Sequence, residues 1–322
     1  MKILVTGGAG YIGSHTRWFL EKAGHTVVVL DNLERGHAWA VPAEMLRLVD
    51  LRETAKVKEV LREEAVDAVI HFAAYAYVGE STVKPEMYFT NNVGGSLSLF
   101  EAMIETGVKC LVFSSTCASY GIVEKLPITE DTPLAPINVY GESKAMVEKI
   151  LEWLDRFRDF RSVRLRYFNA AGGMPGSGLR EQHDPEPHLL PLVLRAAETG
   201  EPLTIFGDDY ATPDGTCIRD YIHVCDLAEA HVMAVEYLGK GGKSDVFNLG
   251  TGNGYSIRQV MTTVERVTGK KVPYKMGMRR EGDPPVLVAD AGKVFGALGW
   301  KAKRGGLEGI VRDAWETRCS HG

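Results

Sequence analysis

Tyr140 and Lys144 stand four residues apart in the stretch "NVYGESK". On a helix that spacing puts both side chains on one face, a turn apart. A packed pair, a surface pair and a phenol prepared to give up its proton all fit the spacing. The last is the demanding one. A free tyrosine titrates near about 10, so a phenolate base at neutral pH needs roughly 4 kcal/mol of help. An ammonium about 4 Å away in a partly shielded site supplies that much. Lys144 is the cation at hand.

A second constellation opens the chain. "VTGGAGYIGSH" places Gly7, Gly10 and Gly13 between an apolar run and a helical pattern. Glycines at such a junction allow a tight turn and close approach of backbone to a pyrophosphate, which then rests on the amides of the helix start. Asp31 ends the next apolar run, eighteen residues past Gly13. There a carboxylate accepts hydrogen bonds from adenosine ribose hydroxyls and repels a 2′-phosphate, favouring NAD over NADP. Arg35 lies close by as a group of the opposite tendency.

The elements that must position these residues are legible as alternating strands and helices. "KILVT", "TVVVLD", "AVIHFA", "CLVFSS" and "SVRLRYF" are short apolar runs without strict alternation, as in strands covered on both faces. Between them lie helical stretches such as "IGSHTRWFLEKAG" and "NNVGGSLSLFEAMIETG". The latter carries Val93, Leu97, Leu99, Phe100 and Met103 as its apolar positions and Gly107 as its stop. The alternation predicts an α/β fold, a Rossmann-type doubly wound parallel sheet. "AAGGMPGSGLREQHDPEPH", rich in Gly and Pro, marks a change of character. We expect residues 1–170 to form the nucleotide-binding domain and 171–322 a smaller α/β substrate-binding domain, with some later segments returning to the first.

Composition narrows the function. The chain is 45% apolar and 25% charged, with a net charge of −5 and basic residues scattered. Neither nucleic acid nor a membrane surface is an expected partner. No apolar run approaches the ~18 residues of a membrane span. A strand starting at Lys2 leaves no room for a signal peptide. Five dispersed cysteines without CxxC or metal-type spacing suit reduced thiols, so a cytoplasmic location and no metal ligand are expected.

Taken together, the glycine pattern, Asn91, the Ser/Thr patch "FSSTCASYG", and Tyr140 with Lys144 resemble the extended short-chain dehydrogenase/reductase superfamily. The resemblance covers the whole chain and is strongest to the UDP-hexose 4-epimerases, through "HFAA", "VGES", "YGESK", "RYFNAAG", "IFGDDYATPDGTCIRDYIHVCDLAEAH", "NLGTG" and "RREGDPPVLVADAGK". It implies an isomerase that interconverts UDP-glucose and UDP-galactose through a 4-keto intermediate, with NAD tightly bound and regenerated each turnover. Another NDP-sugar 4-epimerase is the enzymatic alternative and a non-catalytic NAD sensor the other. A homodimer is implied as well.

Carried over by position, Thr116 shares the proton path of Tyr140, and Lys144 tunes the phenol and fixes the nicotinamide ribose. Tyr11, Ile12, Asn32, Asp50, Leu51, Phe72, Ala73, Asn91, Tyr140 and Phe168 join Gly7, Gly10, Gly13, Asp31 and Lys144 around the cofactor. Thr116, Asn169, the His188–Leu189 backbone, Thr204, Phe206, Arg219, Arg280, Asp283 and Leu287 are implied at the UDP-sugar. Arg219 and Arg280 suit bidentate contact with phosphate, although each suits a surface ion pair equally well. Ala76 stands where the family frequently has a lysine, so that cofactor contact is either absent or replaced by Tyr75 or Tyr77, and Leu287 stands where sugar-pocket width is set. Cys117 and Ala118 follow Thr116 where dehydratases carry an Asp–Glu pair, so dehydration is not expected. His223 is expected to be a satisfied buried histidine, and Ser114 and Ser115 structural or cofactor-lining.

Overall fold

The computed structural model describes residues 1–279, 283–304 and 306–319. Six strands come first: β1 (Lys2–Thr6), β2 (Thr26–Asp31), β3 (Leu46–Leu48), β4 (Ala68–His71), β5 (Cys110–Thr116) and β6 (Arg161–Tyr167). After them run β7 (Asn169–Ala171), β8 (Leu203–Phe206), β9 (Ile218–His223), β10 (Asp245–Leu249), β11 (Gly254–Ser256), β12 (Tyr274–Gly277) and β13 (Val286–Leu287). The first six and β10 form one parallel sheet in the order β10-β6-β5-β4-β1-β2-β3. Its order reverses between β1 and β4, and a crevice beyond the carboxyl ends of the strands is the consequence.

Alternation along each strand explains why helices cover both faces. Ile3, Val5, Val27 and Val29 enter one apolar cluster, whereas Leu4, Val28 and Leu30 enter the other. On the first face lie α1 (Tyr11–Lys22) and α8 (Val224–Gly239). On the second lie α2 (Thr54–Glu63), α5 (Gly95–Thr106) and α6 (Val139–Arg158). Short α3 (Val78–Val83) and α4 (Pro85–Tyr88) lead into a π-helical turn, Phe89–Gly94, which carries Asn91 and Asn92 ahead of α5. The predicted long helix therefore divides there. Gly107, at φ 80°, ends α5 as expected, but Leu97 does not join the core and is 47% exposed.

A third cluster binds the smaller strands to α7 (Leu189–Thr199), α9 (Ile257–Thr268) and α11 (Gly306–Cys319), through Leu190, Val193, Val260, Val264, Ile310 and Val311. The start of α9 is fixed by a capping box between Ser256 and Gln259. β9 collects β7, β11 and β13 into one small sheet, and β8 pairs with β12. α10 (Gly292–Leu298) closes the list of helices. No described helix is long and apolar enough to cross a membrane. All five cysteines are unpaired.

Candidate active site

Loops after β1, β2, β4 and β5 open into one cleft of about 1440 Å³, whose far wall comes from β8, β9 and α7. At one end, α1 begins at Gly10 with no side-chain cap and no acidic residue in its first turn. Its first amides are thus left for a ligand, and Gly10, Tyr11 and Ile12 line the cleft. The floor is tight. Gly7 sits at φ +70°, and a Cβ there would lie 2.5 Å from the Ala73 nitrogen. A Cβ on Gly13 would lie 2.4 Å from the Gly7 carbonyl. Only glycine lets turn and helix approach so closely.

Beyond the turn, Asp31 is buried and accepts the Ala9 N–H at 3.0 Å and the Leu33 N–H at 2.8 Å. Burial raises its pKa, and those two bonds work against the rise. Its remaining lone pairs leave capacity for ribose hydroxyls. Asn32 donates to Asp50 at 3.1 Å, and Arg52 pairs with Asp50 at 2.6 Å, so the Arg52 contact holds that carboxyl well below its usual range. Arg35, the candidate 2′-phosphate partner, is engaged elsewhere: it pairs with Glu80 at 3.0 Å and lies over the Tyr75 and Tyr77 rings. The Tyr75 phenol donates to Glu34 at 2.6 Å. Leu51, Phe72, Ala73, Asn91 and Phe168 line the same cleft. An uncapped helix start, a glycine floor and a buried acceptor beyond it fit a dinucleotide.

At the other end β5 delivers Thr116 and α6 delivers Tyr140. Asn138 caps α6 by accepting the Gly141 N–H at 2.8 Å, which sets the register of Tyr140. The Thr116 hydroxyl accepts the Ala118 N–H at 3.1 Å and lies beside the Tyr140 phenol in the same cleft. Burial holds that phenol well above its ordinary value, Tyr167 adds to the rise, and the neighbouring Thr116 hydroxyl offsets only part of it. Lys144 is buried just behind. Its ammonium donates to the Ser114 carbonyl at 2.8 Å and lies 4.8 Å from the centre of the Phe113 ring. Burial lowers its pKa to about 7, against the pull of Glu148.

This corrects the expectation that Lys144 by itself loosens the phenol. Desolvation disfavours both charged forms at once, and the ammonium spends its bond on a carbonyl. Lys144 stands behind the cleft wall, whereas Thr116 and Tyr140 line it. Ser114 bonds Tyr167 at 2.6 Å, and Ser115 donates to Glu148, which pairs with Arg166 at 2.6 Å in the interior. Neither serine is among the residues that line the cleft. Cys117 cannot serve as an acid or base at neutral pH, because burial raises its thiol to about 12.

Asn169, Thr204, Phe206, Arg219, Asp283 and Leu287 line the cleft on its far side, and His188 and Leu189 do so at the start of α7. Arg219 and Asp283 are joined to each other by an ion pair. Leu287 packs beside Cys117 and Phe168. Arg280 lies outside the described residues. His223 is buried, 3.1 Å from Asp313, and accepts the Cys225 N–H, so it is satisfied as expected. One group went unread: Glu181, His183 and Glu186 gather with His188 at the cleft edge. Its signal was the spacing E-x-H-x-x-E-x-H within the stretch read only for its Gly and Pro. Burial lifts Glu181 to about 8, whereas Glu186, also penalised by burial, is brought down to about 2 by its bonds to His183 and His188.

Residues 3–250 match the NAD dependent epimerase/dehydratase family. A UDP-glucose 4-epimerase of Lactobacillus helveticus is 51% identical, across 100% of this chain and 98% of that one. Among solved structures, the UDP-glucose 4-epimerase of Brucella ovis in complex with NAD has a TM-score of 0.95 at 47% identity, covering 98% of this chain and 97% of that one. The enzyme of Bifidobacterium longum in complex with NAD+ and UDP has a TM-score of 0.93 at 37% identity, covering 99% and 98%. Fold, cleft and full-length kinship agree, and the chain belongs to the NAD dependent epimerase/dehydratase family.

Proposed function

We propose that this protein is an NAD-dependent UDP-glucose 4-epimerase, interconverting UDP-glucose and UDP-galactose. The observation that carries the reading is the Thr116–Tyr140 hydroxyl pair in the same cleft as the Gly7–Gly13 turn. Relatives of that activity match over the full chain. Gly7, Gly10, Tyr11, Ile12 and Gly13 would hold the pyrophosphate, Asp31 and Asn32 the adenosine ribose, and Asp50 and Leu51 the adenine. Phe72, Ala73, Asn91, Lys144 and Phe168 would complete the cofactor site. When bound, NAD supplies the acceptor and donor for hydrogen at sugar C4 and, when oxidised, a positive charge beside the phenol.

Tyr140 receives the proton of the sugar 4-hydroxyl at its phenolic oxygen and returns it after the sugar turns over. Thr116 accepts and donates along the same line. Burial favours the neutral phenol, so Tyr140 must release its own proton to solvent before it can take that of the sugar, and a cation beside it favours that release. Asn169, Thr204, Phe206, Arg219 and Asp283 would grip the UDP and leave the sugar free to turn, with Leu287 bounding its pocket.

Residues 1–170 with α8 and β10 then form the nucleotide half, and the rest the sugar half. We further propose a cytoplasmic homodimer. Its contact would be the exposed apolar face of α6, where Met146, Trp153 and Phe157 are 40%, 51% and 65% exposed, together with Leu97 of α5. The function is tested by incubating the purified protein with UDP-galactose, without added NAD, and following UDP-glucose by chromatography. A stable mixture of both sugars is expected. No conversion even with NAD supplied would overturn the assignment.

A further inference from the structure

Glu181, His183, Glu186 and His188 have no part in the epimerisation reading beyond the backbone of His188. Each offers one ligand atom, and the four atoms lie within 4.8 Å of one another. Nδ1 of His183 is 3.6 Å from Oε1 of Glu181 and 3.1 Å from Oε2 of Glu186. Nδ1 of His188 is 3.3 Å from Oε1 of Glu181 and 2.8 Å from Oε1 of Glu186. A tetrahedral zinc site with bonds of about 2.0–2.2 Å has ligand–ligand edges of roughly 3.3–3.6 Å. With both oxygens of Glu186 facing the imidazoles, the four side chains gather at a spacing that a small inward shift would bring to such a site.

Glu181 supplies an independent observation. Its side chain is 9% exposed, and no hydrogen bond reaches its carboxylate among the described residues. Imidazole nitrogens of His183 and His188 are its only ion-pair contacts there. A buried carboxylate so placed is costly unless a cation answers it. Two imidazoles and two carboxylates gathered in this way select a borderline divalent metal over the hard cations that prefer six or more oxygens.

We propose that Glu181, His183, Glu186 and His188 form a structural Zn2+ site that fastens the strap over residues 173–188 across the cleft. Four protein ligands leave no open position, which makes the site structural and not catalytic. The strap crosses onto the nucleotide half without the metal's help: His37 contacts the Gln182 carbonyl at 3.0 Å, and Arg180 lies over Trp39. Tyr11 and Tyr77 each make a T-shaped ring contact with His183. Zinc would tie the free side of this strap to the start of α7 through His188. The proposal does not depend on the sugar that the cleft accepts.

The test uses tag-free full-length protein, dialysed against chelator and then exposed to Zn2+ alone, with Mg2+ as the comparison. Elemental analysis after desalting should find about one zinc per chain, and Tm should rise with Zn2+ and not with Mg2+. The double variant Glu181→Gln, His183→Gln should bind at least ~100-fold more weakly. Substituting Co2+ in the unaltered protein reads the geometry without any variant: the intense visible bands of a tetrahedral ion are expected. Negligible zinc after desalting, a weak octahedral Co2+ spectrum, or equal binding by a folded double variant would each overturn the site. Epimerisation assayed in the same samples separates that outcome from failure of the functional reading.

Discussion

Tyr140 and Thr116 meet because a strand end and a helix start converge on one point of the cleft, and the chemistry follows from what surrounds them. Removing the phenolic hydroxyl by Tyr140→Phe should lower kcat by about 10²–10⁴-fold while bound NAD, read by its absorbance, stays unchanged. A parallel loss of cofactor would assign Tyr140 to binding instead. Lys144 makes a second prediction. Burial holds it at about 7, against an unfolded value near about 10.4. Below the folded value the penalty of a buried charge is fully present. As pH rises from 7 towards 10, the unfolded chain binds the extra proton, so this contribution to stability climbs. Lys144→Met, in protein stripped of dinucleotide, should therefore gain on the order of 2 kcal/mol at pH 6 and lose most of that gain by pH 10. Thermal unfolding at both pH values checks it, and a gain independent of pH would contradict it. The Tyr–Lys spacing was legible in the sequence; its electrostatics were not, because desolvation depends on neighbours that only folding brings together.

The strands were legible because runs buried on both faces leave a continuous apolar signature. β1 and β2 span the predicted residues, and β4, β5 and β6 lie within a residue or two of them. β3 and β10 are short and mixed, and nothing in three or five residues announced that β10 would close the far edge of the sheet. Leu97 keeps helical spacing yet faces away from the core, since periodicity alone does not distinguish a core face from a face awaiting a partner. The glycine turn was read correctly as an element, and the structure explains its intolerance of side chains. Gly7→Ala would place a Cβ 2.5 Å from the Ala73 backbone at a positive φ. We expect roughly 1–3 kcal/mol of destabilisation and loss of retained NAD. Chemical denaturation and cofactor content measure the two effects, and a variant that keeps its NAD would contradict the account of the turn.

Across the whole molecule, a parallel sheet brings the glycine turn, the acidic strand end and the Thr116 and Tyr140 hydroxyls to one edge, and β8, β9 and α7 supply the opposing wall. No apolar run in the sequence approaches the length of a membrane span, and no described helix is long and apolar enough to cross one. The proposed sugar grip depends on residues far apart in the chain, whose convergence only the family resemblance had implied. The exposed face of α6 carries a prediction at this scale: Trp153→Glu with Phe157→Glu should convert a dimer to monomers in light scattering. An unchanged mass would place the interface elsewhere. The central claim is that hydrogen leaves sugar C4 and returns to it within one closed site. UDP-galactose deuterated at C4 tests this most directly, with the UDP-glucose product weighed by mass spectrometry. Full retention of deuterium in ordinary water is the expected result; its loss to solvent would mean that C4 exchanges as a proton, and would contradict the account.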